Sequence, residues 1–333
     1  MSPIRIAVVG VGHLGKIHAR LLCTRTEAQL VAVADTCEAN LEFAMRTHGV
    51  EGMRDYRELV GRVDAVCVAV PTEAHHEVAT FFLGNGVDVL VEKPIARTQA
   101  EGLAMVELAR QRGRVLQVGH VERFNPAMRA MAELGIRPRY IETQRLAPFS
   151  FRSTDIGVVL DLMIHDLDLV LALMHSPLSA VEAFGGSVFT PAEDMASAIL
   201  RFEDGGVAHL TASRVALKPT RKMRVFSHDA YMSMDLTKAH ATLIKKNPGW
   251  DLTQIDAGRL DGSKPEDLWR LVFEGLLTVR EIKLDERNAI QDEHSDFLRA
   301  ISTRGQPTVT GEDGCRALAA AERVLSSIDG NRW

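Results

Sequence analysis

The sequence predicts two domains, a doubly wound α/β domain over residues 1–120 followed by an α+β domain over residues 121–333. Three observations carry this. The length of 333 residues suits two cores at roughly 150 residues each. Up to about His120, short apolar runs without polar alternation take turns with amphipathic stretches, as strands buried on both faces of a parallel sheet do. After Gly119 that rhythm gives way to runs typical of antiparallel strands.

Taken in order, the first-half strands are Ile4–Val9, Leu30–Ala34, Ala65–Val70, Val87–Val91 and Val115–Val118. Helical patterns lie between them, around Leu14–Cys23, Glu38–Arg46, Ala74–Leu83 and Glu101–Arg110. Asp55 stands three residues before Glu58, and Thr98 three before Glu101, the spacing of a capping box. In the second half a long helix over Val158–Met174 precedes strands at Val181–Val188, Ala196–Phe202, Val207–Arg214, Met223–Ser227 and Leu276–Leu284. Glu203-Asp204-Gly205-Gly206 marks a hairpin turn, and Asn247–Pro265 a surface loop. Helices around Ala289–Ser302 and Cys315–Ser326 close the chain, and the last is expected to pack back on the first domain.

Composition narrows the function classes. A formal charge of -5 and 5% aromatic residues supply neither a basic surface for phosphate backbones nor a base-stacking platform, so no nucleic-acid partner is expected. The run Val158–Met174 carries Asp161, His165, Asp166 and Asp168, which excludes a membrane span. Gly10 and Gly12 interrupt the first apolar stretch before it could form a signal-peptide core. Cys23, Cys37, Cys67 and Cys315 form no Cys-x-x-Cys pair, which fits neither a disulfide framework nor a thiolate zinc site. A cytoplasmic protein is expected.

Gly10-Val11-Gly12-His13-Leu14-Gly15 follows a strand and opens a helix, and Asp35 ends the next strand 20 residues after Gly15. Glycines there permit a tight turn and close approach of backbone to a pyrophosphate, while the helix N-terminus offers free N–H groups. Asp35 can accept both ribose hydroxyls and would repel a 2'-phosphate, which makes NAD the expected cofactor. Glu92-Lys93-Pro94 follows the run Val87–Val91, so Lys93 falls at the carboxyl edge of the sheet, where ligands of open parallel sheets bind. A cation there can stabilise a developing alkoxide.

On the apolar helix, Asp161, His165 and Asp168 follow i, i+4, i+7 spacing on one face, the arrangement of a general base with its orienter. Metal binding is less well supplied: Asp161 and His165 make two ligands without an evident third, and His75-His76-Glu77 point to different sides of a helix, so no metal is expected. Arg123, Arg152 and Arg214 are placed to meet a diphosphate, with Asn125 beside Arg123.

The order Gly-x-Gly-x-x-Gly, Asp35, Pro71-x-x-x-His75, Glu92-Lys93-Pro94 and Asp161-x-x-x-His165 resembles the Gfo/Idh/MocA family of NAD(P)-dependent oxidoreductases over essentially the whole chain. The resemblance implies a Rossmann domain followed by a domain built on a large, mostly antiparallel sheet. It implies that Lys93, Asp161 and His165 face the nicotinamide, with His165 as proton acceptor and Lys93 positioning the hydroxyl. It also places Gly10, Gly12, His13, Leu14, Gly15, Asp35, Pro71, His75 and Glu92 around the cofactor. Gly119–Pro126 and Leu160–Asp166 look like the branch that oxidises C3 of UDP-N-acetylglucosamine, whose keto product an aminotransferase converts for lipid A. A homodimer or homotetramer is expected. Dehydrogenases of free sugars, inositols or UDP-sugar uronates are the same-class alternative, and a non-catalytic dinucleotide sensor is the rival from another class.

Overall fold

The computed structural model describes residues 2–150, 156–238, 240–248, 276–284 and 287–331. They divide into two compact units. The first comprises Met1–Asn125, Leu167–Leu169 and Arg287–Arg323, the second Pro126–Asp166, Val170–Glu286 and Val324–Trp333.

The first unit is built on a six-stranded parallel sheet of order β3-β2-β1-β4-β5-β6. Its strands are β1 (Ile4–Val9), β2 (Ala28–Ala34), β3 (Glu51–Met53), β4 (Ala65–Val68), β5 (Asp88–Glu92) and β6 (Leu116–Gly119). β4, β5 and β6 are buried along their whole length; β4 is apolar throughout, while β5 and β6 bury Asp88, Glu92 and Gln117 among their apolar residues. The connecting helices are α1 (His13–Leu22), α2 (Glu38–His48), α3 (Thr72–Gly84) and α4 (Gln99–Arg112). Thr98 caps α4 by accepting the Glu101 N–H, whereas the Glu101 carboxylate accepts from Arg97 instead of closing the box on Thr98. Asp55 caps only a single 3-10 turn, Tyr56–Leu59, through the Arg57 N–H.

Strand order reverses between β1 and β4, leaving a crevice beyond their carboxyl ends. A later helix completes this unit: Phe297, Leu298, Ala300 and Ile301 of α7 (Ala289–Thr303) join the core of Ile6, Val8, Leu22 and Leu90.

The second unit carries an eight-stranded sheet of order β14-β13-β12-β11-β7-β10-β9-β8. Its strands are β7 (Tyr140–Leu146), β8 (Leu178–Gly186), β9 (Met195–Phe202), β10 (Val207–Ser213), β11 (Thr220–Phe226), β12 (Ala230–Asp235), β13 (His240–Lys246) and β14 (Leu277–Lys283). All pairs are antiparallel except β7 with β10. The turn Glu203–Gly206 joins β9 to β10, with Gly205 at φ +82° and the Phe202 N–H donating to Gly206 O. Along β11, Met223 and Val225 point inward while Lys222, Arg224 and Phe226 lie on the other, solvated face. α5 (Pro126–Glu133) precedes β7, and α8 (Gly311–Asp329) ends the described chain, its Ser327 hydroxyl accepting the Ala183 N–H of β8.

The helix expected over Val158–Met174 has two parts. Val159–Met163 forms a π turn and α6 runs over Ile164–Met174. π turns are uncommon and concentrate at functional sites. Most of the expected loop Asn247–Pro265 lies outside the described residues, as does Arg152.

Candidate active site

Gly10 adopts φ +86°, a conformation open to glycine, and a Cβ there would lie 2.6 Å from Ala69 O. A Cβ on Gly15 would collide with Gly10 O, so that glycine lets α1 sit against the loop. At Gly12 a Cβ would meet nothing within 4 Å. Gly12 is also the N-cap of α1, which has neither a side-chain cap nor an acidic residue in its first turn. An open loop face over uncapped N–H groups is what a pyrophosphate requires, and the residues fit a dinucleotide. His13 and Leu14, in that first turn, are exposed.

Asp35 Oδ2 accepts the Val11 N–H at 2.8 Å and the Asn40 amide at 3.3 Å, and Oδ1 accepts the Cys37 N–H at 2.8 Å. The acid at the end of β2 thus ties down the glycine loop while remaining partly exposed. Equilibrium titration should find NAD bound at least tenfold more tightly than NADP, since a 2'-phosphate would meet this carboxylate. Equal affinities would contradict the assignment to Asp35.

Pro71 stands at the N-terminus of α3, and His75 one turn on is buried. Its Nδ1 lies 2.8 Å from Pro94 O and its Nε2 3.0 Å from Val70 O. Burial lowers the His75 pKa, so the ring is neutral and donates to one carbonyl at a time. His75 therefore braces the end of β4 against the segment carrying Lys93, which is half-buried just beyond β5.

Glu92 turns inward. Its Oε1 lies 2.7 Å from His18 Nε2 on α1, and its Oε2 accepts the Lys93 N–H at 3.2 Å. His18 Nδ1 shares a 2.8 Å hydrogen bond with His294 Nε2 on α7. The nitrogens of these two histidines and the Cys67 sulfur all lie within 4.8 Å of one another. Burial opposes charge on His18, while Cys67 and Glu92 oppose burial. Since burial holds the Cys67 thiol protonated, Glu92 is the counter-charge that sets the His18 pKa above its ordinary value. His294 is pushed well below the usual range by burial and by charge on His18.

Next to this pair, Glu293 is buried with Oε1 lacking a hydrogen-bond partner among the described residues. Burial, then the neighbouring Glu92, raises its pKa to about 8 against an ordinary 4.5, with His18 opposing and Asp296 adding. The folded chain therefore holds a proton that the unfolded chain releases, so this group lowers stability progressively as pH rises from 4.5 to about 8. Glu293→Gln should remove that slope. Its gain in melting temperature should be several degrees larger at pH 8 than at pH 5, and an equal change at both would show that Glu293 does not titrate in this window.

Asp161 lies in the π turn and donates its N–H to Gly157 O at 3.1 Å; His165 follows in the first turn of α6, both half-buried. Asp168, which the i+7 spacing puts on the same face, is held by another partner. Its carboxylate takes a two-pronged ion pair from Arg123, at 2.7 and 3.0 Å. Asp166 is likewise committed to Arg145 of β7. Arg123 also approaches Asp313 at 3.5 Å, and Arg214 donates to Ile156 O at 2.6 Å beside Asp194. Both guanidiniums thus hold structure, and Asn125 donates to Glu122 at 3.1 Å. Sequence reasoning missed His18, His294, Glu293 and the buried His120, whose pKa burial lowers.

A glycine loop and acid at the switch point of a parallel sheet, followed by a large mixed sheet, define an NAD-dependent oxidoreductase. Residues 4–120 match the oxidoreductase family model with an NAD-binding Rossmann fold, and residues 137–232 match the Gfo/Idh/MocA C-terminal domain. The chain is 35% identical over 335 residues to a UDP-N-acetylglucosamine 3-dehydrogenase of Acidithiobacillus ferrooxidans, covering 99% of this chain and 98% of that one. The chain belongs to the Gfo/Idh/MocA family. A solved structure of a UDP-N-acetylglucosamine 3-dehydrogenase from the same organism superposes with a TM-score of 0.87 at 34% identity, covering 99% of each chain. A Bacillus subtilis scyllo-inositol 2-dehydrogenase is 30% identical over 233 residues, covering 64% of this chain and 68% of its own. No helix among the described residues is long and apolar enough to cross a membrane.

Proposed function

We propose that the protein oxidises the C3 hydroxyl of UDP-N-acetylglucosamine to the 3-keto sugar. The observation that carries this reading is the similarity, over 99% of the chain, to a dehydrogenase of that name. His165 takes the hydroxyl proton, Asp161 one turn earlier orients the imidazole, and Lys93 hydrogen-bonds the reacting oxygen so that charge developing on it is stabilised. NAD, when bound, accepts the hydride. Gly10, Gly12, His13, Leu14 and Gly15 hold its pyrophosphate, Asp35 its ribose, and Pro71 and His75 shape the wall beside it.

The diphosphate of the substrate is assigned to Arg123, Asn125, Arg152 and Arg214 together. Arg123 and Arg214 contribute charge from positions already fixed by Asp168, Asp313 and Asp194. Residues 1–120 serve the cofactor and residues 121–333 the sugar nucleotide and assembly. An aminotransferase consumes the product, in lipid A amino-sugar synthesis in the cytoplasm.

The solvated face of the eight-stranded sheet, where Phe226 packs at a tilt against Tyr140 and Tyr231 at centroid distances of 5.6 and 4.8 Å, supports a homodimer or homotetramer. Sedimentation at micromolar concentration should give a multiple of 36.7 kDa, and a monomer would contradict the assembly. The activity itself is tested by incubating purified protein with NAD and a panel of nucleotide sugars, free sugars and inositols, following NADH and the mass of each product.

A further inference from the structure

Glu92 lies next to Lys93 in sequence, yet its carboxylate is buried. A buried carboxylate at the end of an interior strand is costly unless it is paired, and here the pairing is built from distant parts of the chain. His18 of α1 bonds one oxygen at 2.7 Å, His294 of α7 backs His18 at 2.8 Å, and the other oxygen accepts the Lys93 N–H at 3.2 Å. Gly119, which pairs with Glu92 across β5 and β6, leaves room for this, since a Cβ there would come within 3.1 Å of Glu92 Cδ and Oε2. We propose that Glu92 is the positioning residue of Lys93, and that the His294–His18–Glu92 chain runs from α7 through α1 to fix where the lysine stands.

This rests on the reading of Lys93 as the group that meets the reacting hydroxyl. The carboxylate acts in two ways. It anchors the lysine backbone through the N–H, so that the side chain departs from a fixed point. It also attracts the lysine's charge, an interaction that joins the His18 bond in lowering the Glu92 pKa against burial. The other titratable groups facing it are Cys67 on β4, His75 on α3, His120 after β6 and Glu293 on α7.

The test is a double-mutant cycle on the full chain with NAD and its sugar-nucleotide substrate. Glu92→Gln should lower kcat by about 10- to 100-fold, leave the Kd for NAD within about twofold, and move the alkaline limb of the kcat/KM profile to lower pH. In a Lys93→Ala background the same change should add less than about twofold. An effect of equal size with and without Lys93, or an unmoved alkaline limb, overturns the proposal. A loss that falls wholly on NAD affinity also overturns it and makes Glu92 a cofactor ligand. If Lys93→Ala alone keeps normal turnover, the reading of Lys93 fails and the proposal with it, an outcome distinct from additivity. Should Glu92→Gln not fold, His294→Leu leaves the carboxylate and Lys93 in place, and the same three readouts, smaller in size, decide the matter.

Discussion

His165→Ala is expected to lower turnover by about 10²- to 10⁴-fold, the span for loss of a positioned acid or base. The reason is that hydride cannot leave carbon as a stable product unless the hydroxyl proton also departs, and His165 is the acceptor assigned to it. NAD affinity should survive, because the glycine loop and Asp35 belong to a different part of the chain. The imidazole sits on an interior helix whose other charged residues, Asp166 and Asp168, are already satisfied by Arg145 and Arg123. Removing it should leave those ion pairs intact, so the melting temperature should fall by only a few degrees. Near-normal turnover in a folded variant would make His165 a residue of the helix packing and no more.

The second large effect is expected from the substrate. A chain of net charge -5 repels an anion at long range, so a diphosphate must be met by local cations or helix N-termini. Charge-assisted hydrogen bonds are worth about 1.5–3 kcal/mol each, and two of them correspond to roughly 10²- to 10⁴-fold in binding. Free N-acetylglucosamine, lacking the nucleotide, should therefore show a kcat/KM lower by about that factor, with part of the loss in kcat if remote binding energy orients the ring. Equal efficiency on the free sugar would remove the nucleotide-sugar reading and favour a free-sugar dehydrogenase.

The parallel sheet was legible because burial on both faces erases polar alternation, leaving runs such as Ala65–Val68 that meet glycine or proline soon after. β3 escaped notice because three residues, Glu51–Met53, hold no period. β7 was missed for a different reason: its inward positions include Thr143 and Arg145, and the arginine is accommodated by Asp166 from another element. Pairing of that kind has no local signature. The same limit governs the site. The glycine loop, Asp35 and Lys93 are adjacent to the elements that position them and can be recognised along the chain. The destination of Asp168 depends on Arg123, 45 residues away, and the burial of Glu92 depends on His18 and, through it, His294, 276 residues further on. The π turn over Val159–Met163 likewise leaves no mark in an apolar sequence that serves α helix equally well.

Oxidation at C3 is tested by a single incubation of the purified protein with NAD and UDP-N-acetylglucosamine, read by NADH absorbance and by mass spectrometry of the sugar nucleotide. NADH should form together with a product lighter by two hydrogens, whose carbonyl is at C3 and is trapped there by an amine donor or a hydrazine. NADH formed only with free sugars or inositols, or a carbonyl at another ring carbon, would contradict it.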